Sequence, residues 1–146
     1  MFSAKQVIMA VEEFAASYGI PVEAIVVSAV GSMVYHGYRT VTRDIDASVT
    51  EQVFDLLAAG REVIHLDPIG SLPGIKMISF PELKIDVHCG IPLQEDLVQL
   101  TTVPRRPTCW FLTPDALYRQ KMAMGRQKDL DDITRMQLGG YKIATM

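Results

Sequence analysis

Cysteine is nearly missing from this chain: Cys89 and Cys109 are the only two, far apart and in no metal-ligand spacing. That excludes a disulfide scaffold and a cysteine-based zinc site. Both thiols are expected as small core residues in a reducing, cytoplasmic setting. No apolar run approaches the roughly 18 residues that a membrane-spanning helix needs. A long basic stripe is also absent and the net charge is −3, which argues against a general double-stranded DNA binder. There is no internal repeat and no low-complexity tract. The opening MFSAKQVIMAVEEF carries Glu12 and Glu13 inside its apolar stretch and lacks a cleavage-type segment, so it reads as a mature helix and not a signal peptide.

What is present suits one domain. The chain has 146 residues, 49% of them hydrophobic, enough to bury a core without covalent staples. One domain is expected over 1–146, with its core at about 25–112 and a C-terminal helix pair at about 113–138. Charge falls unevenly: residues 1–100 carry 6 basic and 13 acidic side chains, whereas residues 101–146 carry 8 and 4. An acidic part beside a basic part would be complementary around a metal-bound polyphosphate. Uneven surface charge without function is the alternative.

Periodicity sets the expected elements. Ser3 to Tyr18 reads as a helix, with Ser3 and Gln6 as a capping box and a stripe of Val7, Ile8, Val11, Phe14, Ala15 and Tyr18. Gly19 and Pro21 end it. Ile25 to Val30 (IVVSAV) reads as a buried strand, followed by a turn at Gly31-Ser32 and a short helix over about 33–38. Arg43 to Val49 is a strand, and Thr50 caps a helix near 51–59 that Gly60 closes. Strands are expected at 62–66, 75–80 and 83–88, the first two joined through Pro68, Gly70, Pro73 and Gly74. A helix near 92–99, a loop at 104–107 and an edge strand at 108–112 come next. Thr113-Pro114 starts a helix that Gly125 interrupts, and a last helix runs over about 127–138 to Gly139-Gly140. The expected class is α/β (α+β), a small mixed sheet flanked by helices.

The chemistry concentrates between Gly31 and Asp46. A Gly-Ser pair follows an apolar run, then eleven residues intervene, then two aspartates flank one isoleucine. Alternation along the second segment sends Asp44, Asp46 and Ser48 to one face and Ile45, Ala47 and Val49 to the other. Two carboxylates so placed, roughly 7 Å apart along one strand, repel each other unless a cation lies between them. Mg²⁺ suits such a place, because it takes hard oxygen ligands from one or two carboxylates and from substrate phosphates. Glycine would let the backbone approach a phosphate, and amides opening a helix would face it.

These residues resemble the signature of the polymerase β-type nucleotidyltransferase superfamily: Gly-Ser, about a dozen residues, then Asp-x-Asp. The family resemblance implies a third carboxylate on a later strand, and Asp86 in LKIDVH answers to it, with Lys84 and His88 on its face and Leu83, Ile85 and Val87 towards the core. Residues 117–133 are similar to the lysine, Arg-x-Lys-Asp and aspartate helix pair of small bacterial and phage-defence nucleotidyltransferases. Antibiotic-modifying enzymes and toxin–antitoxin members belong among these. Three matched segments, 25–49, 83–88 and 113–133, carry the resemblance, a little over a third of the chain.

The resemblance implies a minimal nucleotidyltransferase fold and a two-metal Mg²⁺ site, with Mn²⁺ a possible substitute. Asp44, Asp46 and Asp86 would be catalytic and metal-binding. Gly31, Ser32, Arg43, Lys121, Arg126, Lys128 and Asp129 would bind the nucleotide. A nucleoside monophosphate would pass from a nucleoside triphosphate to an acceptor hydroxyl on a small molecule, a protein or an RNA end, releasing pyrophosphate. A homodimer or a small helical partner protein could complete the cleft. The alternative is a nucleotidyltransferase-like member of a two-protein toxin–antitoxin complex acting mainly by binding.

Structural alternatives stand beside these roles. Ser32 could serve only as a helix cap, Lys121 as a solvated helix lysine, and Arg43 as a surface residue opening a strand. Arg126, Lys128, Asp129 and Asp132 could form helix-face ion pairs, Lys128 with Asp132 among them. Arg39 and Thr42 are further candidates for the pocket wall. His36, His65 and His88 share no metal-ligand spacing, and only His88 lies on the Asp86 face. Trp110 reads as packing before it reads as a base-stacking platform.

Overall fold

The computed structural model describes residues 1–70, 74–89, 97–99 and 108–142. Helix α1 covers Ala4–Tyr18, with the Ser3–Gln6 capping box formed and Gly19 ending it in the left-handed conformation. A single 3₁₀ turn at Val22–Ala24 leads into β1, Val26–Ser28. Then come α2 (Ala29–Tyr35), β2 (Ile45–Ser48), α3 (Glu51–Ala58), β3 (Ile64–His65), β4 (Lys76–Phe80) and β5 (Ile85–Cys89). The chain closes with β6 (Leu97–Gln99), β7 (Trp110–Leu112), α4 (Pro114–Met124) and α5 (Gln127–Leu138). Among the described residues no helix is long and apolar enough to cross a membrane.

The strands form one mixed sheet in the order β3-β4-β5-β2-β1-β7-β6. The pairs β2–β5 and β1–β7 are parallel, and β1–β2, β3–β4, β4–β5 and β6–β7 are antiparallel. Each face has its own apolar core. On one, Val7, Val11 and Phe14 of α1 and Phe54 of α3 pack on Val27, Ile45, Ala47, Ile85 and Val87. Phe14 meets Phe80 edge-on with ring centroids 5.0 Å apart. Burying one such ring contributes about 1.5–3 kcal/mol. The other face packs Val26 and Leu112 against Met33, Ala116, Leu117 and Met136. This second core seats α4 and α5 beside the strand face that carries the aspartates.

Several expectations are corrected. The strand expected at 25–30 is only Val26–Ser28, because the chain turns helical at Ala29, so Gly31 and Ser32 lie inside α2 and not in a turn before it. The segment Leu97–Gln99, expected as the end of a helix, is a strand whose backbone pairs antiparallel with β7. Consequently β7 is no edge: β1 and β6 flank it. Residues 92–96 and 104–107 and Pro73 lie outside the described residues. Lys84, expected on the strand face with Asp86, precedes β5 in a turn with φ 59°. By contrast, the Thr113 cap with Pro114 behind it, the left-handed Gly125 and the final helix at 127–138 form as the spacing predicts.

Candidate active site

Strand register gathers the polar residues into a row. Ser28 of β1, Asp46 of β2, Asp86 of β5 and Ser79 of β4 are consecutive partners across four adjacent strands. Side chains of directly paired residues share a face, so Asp46 and Asp86 stand side by side, about 4.8 Å apart at the backbone. Like charges near that spacing repel by roughly 3 kcal/mol at an effective dielectric near 20. Burial pushes the Asp46 carboxyl above its ordinary range. The charges of Asp86 and Asp44 push it further, and His88 and Lys121 offset part of the rise. Asp44 is exposed just before β2. Its carbonyl accepts from Thr42 Oγ1 at 2.7 Å, and Thr42 is bridged to Phe2 through two backbone bonds.

Gly31 and Ser32 have structural roles here. A Cβ on Gly31 would lie 2.5 Å from Val27 Cγ1, so glycine lets α2 lie flat on β1. The Ser32 hydroxyl is fully buried, donates to the Val27 carbonyl at 2.7 Å and accepts from the Leu112 amide at 3.0 Å. It ties α2, β1 and β7 together at their centre. Neither residue lines the cavity beside Asp46.

The C-terminal motif folds into a buried charge network. Lys121 is 3% exposed, with its Nζ 2.9 Å from Asp132 Oδ2 and 3.8 Å from Asp129 Oδ1. Arg126 grips Asp129 through Nε at 2.7 Å, while Arg39 and Arg135 reach Asp132 Oδ1 at 2.9 and 3.1 Å. For both aspartates burial favours the neutral acid, but hydrogen bonds outweigh it and hold each carboxyl below the usual range. Arg126 supplies them to Asp129, and Lys121 and Arg39 supply them to Asp132. The helix-face pairing expected between Lys128 and Asp132 gives way to these partners. Through Arg39, α5 also clamps the segment that leads to Asp44.

A cavity of about 340 Å³ opens between this network and the sheet, within the range of small-molecule sites. Of the expected site residues, Asp46, Lys121, Arg126, Lys128 and Asp129 line it, with Lys128 exposed. Asp44, Asp86 and the exposed Arg43 do not. Arg39 and His88, weighed from the sequence, do line it. Sequence reasoning missed Gln120, Asp67 and an apolar wall of Val30, Leu66, Ile69, Ile75 and Met124. The loop after β3 reaches this wall because Gly70, at φ +57°, rests on the C-terminal carbonyls of α4; a Cβ there would lie 2.1 Å from the Ala123 oxygen. Arg39 Nε, His88 Nδ1 and Gln120 Oε1 are buried and, among the described residues, have no hydrogen-bond partner. Each costs about 1–3 kcal/mol in that state.

The donor set bears on Mg²⁺. Among the described residues no three His, Cys, Asp or Glu side chains converge into a group that could hold a metal as they stand. Mg²⁺ seldom uses an all-protein cage, however; it is bound through one or two carboxylates together with substrate phosphates. Asp46, repelled by Asp44 and Asp86, offers that chemistry, and the hard oxygen donors fit the ion. In comparisons with family models, curated proteins and solved structures, none matches this chain.

Proposed function

We propose that the protein is a Mg²⁺-dependent nucleotidyltransferase, moving a nucleoside monophosphate from a nucleoside triphosphate to an acceptor hydroxyl. One observation carries this reading: Asp46 and Asp86 are register partners on adjacent parallel strands, with Asp44 two residues away, beside a cavity fit for a small molecule. A scaffold gains nothing from carboxylates that oppose one another's charge. Asp44, Asp46 and Asp86 would hold Mg²⁺, which when bound neutralises charge on phosphate oxygens and makes a hydroxyl more acidic.

The chain's own residues do the rest. Asp86, on the open face of β5, accepts the proton of the acceptor hydroxyl, a contribution of about 10²–10⁴ in rate. The acceptor oxygen bonds to the α-phosphorus as the bond from that phosphorus to the bridging oxygen breaks, and pyrophosphate departs. Arg126 and Lys128 supply positive charge at the cavity wall. Lys121 keeps the carboxylates of Asp129 and Asp132 paired, and so acts on the site by position. The acceptor is a small molecule, a protein side chain or an RNA end.

Calorimetry of each nucleoside triphosphate in Mg²⁺ and in EDTA tests the reading. Much tighter binding with metal is expected, and equal affinity in both removes the metal site.

A further inference from the structure

The cavity beside Asp46 asks for a particular kind of occupant. Its charges balance. Arg39, Lys121, Arg126 and Lys128 face Asp46, Asp67, Asp129 and Asp132, so the lining favours no excess charge in the ligand. Most of those charges are already committed to one another in the α4–α5 network. Among the described lining residues, hydrogen-bonding capacity remains unspent instead at three atoms: Arg39 Nε, whose N–H is a donor, Gln120 Oε1, an acceptor, and the ring nitrogen Nδ1 of His88. His88 is only 9% exposed, so water outside the protein does not relieve it. Five further lining residues, Val30, Leu66, Ile69, Ile75 and Met124, are apolar, and each is only half-buried. A ring with an apolar face and a polar edge suits these apolar residues and the unpartnered atoms together.

We infer that this cavity seats the nucleobase of the bound nucleotide, its edge read by Gln120 Oε1, Arg39 Nε–H and His88 Nδ1. The phosphates then lie outside it, over Asp44 and Asp86, with Asp46 at the boundary between the two. The inference rests on the nucleotide reading for the identity of the ring. It reassigns the cavity from the outer phosphates, where the lysine motif alone would have put them, to the base. Gln120 is a specificity residue on this account.

Uncharged nucleosides in EDTA test the seat without invoking metal or phosphate. Adenosine, guanosine, cytidine and uridine are titrated separately into the full chain while NMR follows the Gln120 side-chain amide and the His88 ring. At least one nucleoside is expected to shift both signals, and to do so with a preference among the four. Gln120→Leu should weaken that binding about three- to tenfold and blunt the preference, as the loss of one hydrogen bond does. The same variant should leave Mg²⁺-dependent binding of inorganic triphosphate unchanged. Its melting temperature should stay near the parent's, since the Gln120 side-chain oxygen has no partner among the described residues. Signals unmoved by all four nucleosides would mean that the cavity holds only water, and an unaltered preference in Gln120→Leu would remove Gln120 as a reader; either overturns the seat even if nucleotidyl transfer is observed. If nucleosides bind here but triphosphate gains nothing from Mg²⁺, the seat stands and the transfer reading fails.

Discussion

Asp46 and Asp86 stand directly opposite each other on β2 and β5, and the charge of Asp86 adds to burial in holding the Asp46 carboxyl above its ordinary range. A carboxyl raised in the folded state costs nothing below its unfolded value, near about pH 3.9. The cost grows as pH rises and is fully present above the folded value. Asp46→Asn should therefore melt higher than the parent at pH 7, with the difference vanishing near about pH 3.5. Thermal melts of both proteins at the two pH values check it. A lower melting temperature for the variant at pH 7 would make Asp46 a structural residue.

Ser32 leads to the opposite expectation. Its hydroxyl satisfies the Leu112 amide and the Val27 carbonyl in a fully buried position. Ser32→Ala should cost about 1–3 kcal/mol of stability, and the Leu112 amide should exchange with solvent faster. Urea denaturation and hydrogen exchange report the two effects. A variant as stable as the parent would return Ser32 to the phosphate role that the motif suggested.

Lys121 separates the two halves of the site. Removing a buried cation leaves carboxylates uncompensated, typically at about 3–5 kcal/mol. Lys121→Ala should fall at the lower end of that range, because Asp132 keeps Arg39 and Asp129 keeps Arg126. An urea midpoint matching the parent's would contradict the network.

Acid should unfold the protein partly through that same network. The Asp129 and Asp132 carboxyls are held below their usual range by Arg126, Lys121 and Arg39 against the pull of burial. A depressed carboxyl contributes stability that is present above the unfolded value, about pH 3.9, and is lost as pH falls through the folded value. Asp129→Asn should lower stability at neutral pH and flatten its decline below about pH 4. Melting temperature against pH for both proteins measures the slopes.

Most of the scaffold was legible because its signals are local. The Ser3–Gln6 box, the Thr50 and Thr113 caps, Pro114 and the stops at Gly19 and Gly125 act within one helical turn, and each lies where the sequence puts it. Alternation along Arg43–Val49 likewise sends Asp46 and Ile45 to opposite faces. What escaped depends on partners distant in sequence. Ile25–Val30 reads as a strand throughout, but Ser28 ends it and the chain turns helical where α2 meets β7. The cavity wall at Leu66–Gly70 exists only because Gly70 fits against α4, and no pattern around it announces that contact. Gln120 sits beside the conspicuous Lys121, and its oxygen becomes informative only once the absence of a partner among the described residues is visible. Lys121 itself read as a phosphate ligand because a charge motif does not say which carboxylates lie within reach.

The most direct measurement is transfer of label from nucleoside triphosphates carrying ³²P at the α-phosphate, supplied one at a time with Mg²⁺ and a cell extract as the source of acceptor. The account predicts that a macromolecule or small molecule becomes labelled and pyrophosphate is released, that EDTA stops both, and that Asp46→Asn and Asp86→Asn are inactive while still folded. Absence of labelled product from all four triphosphates, in Mg²⁺ and in Mn²⁺, or full activity in Asp46→Asn, would contradict it.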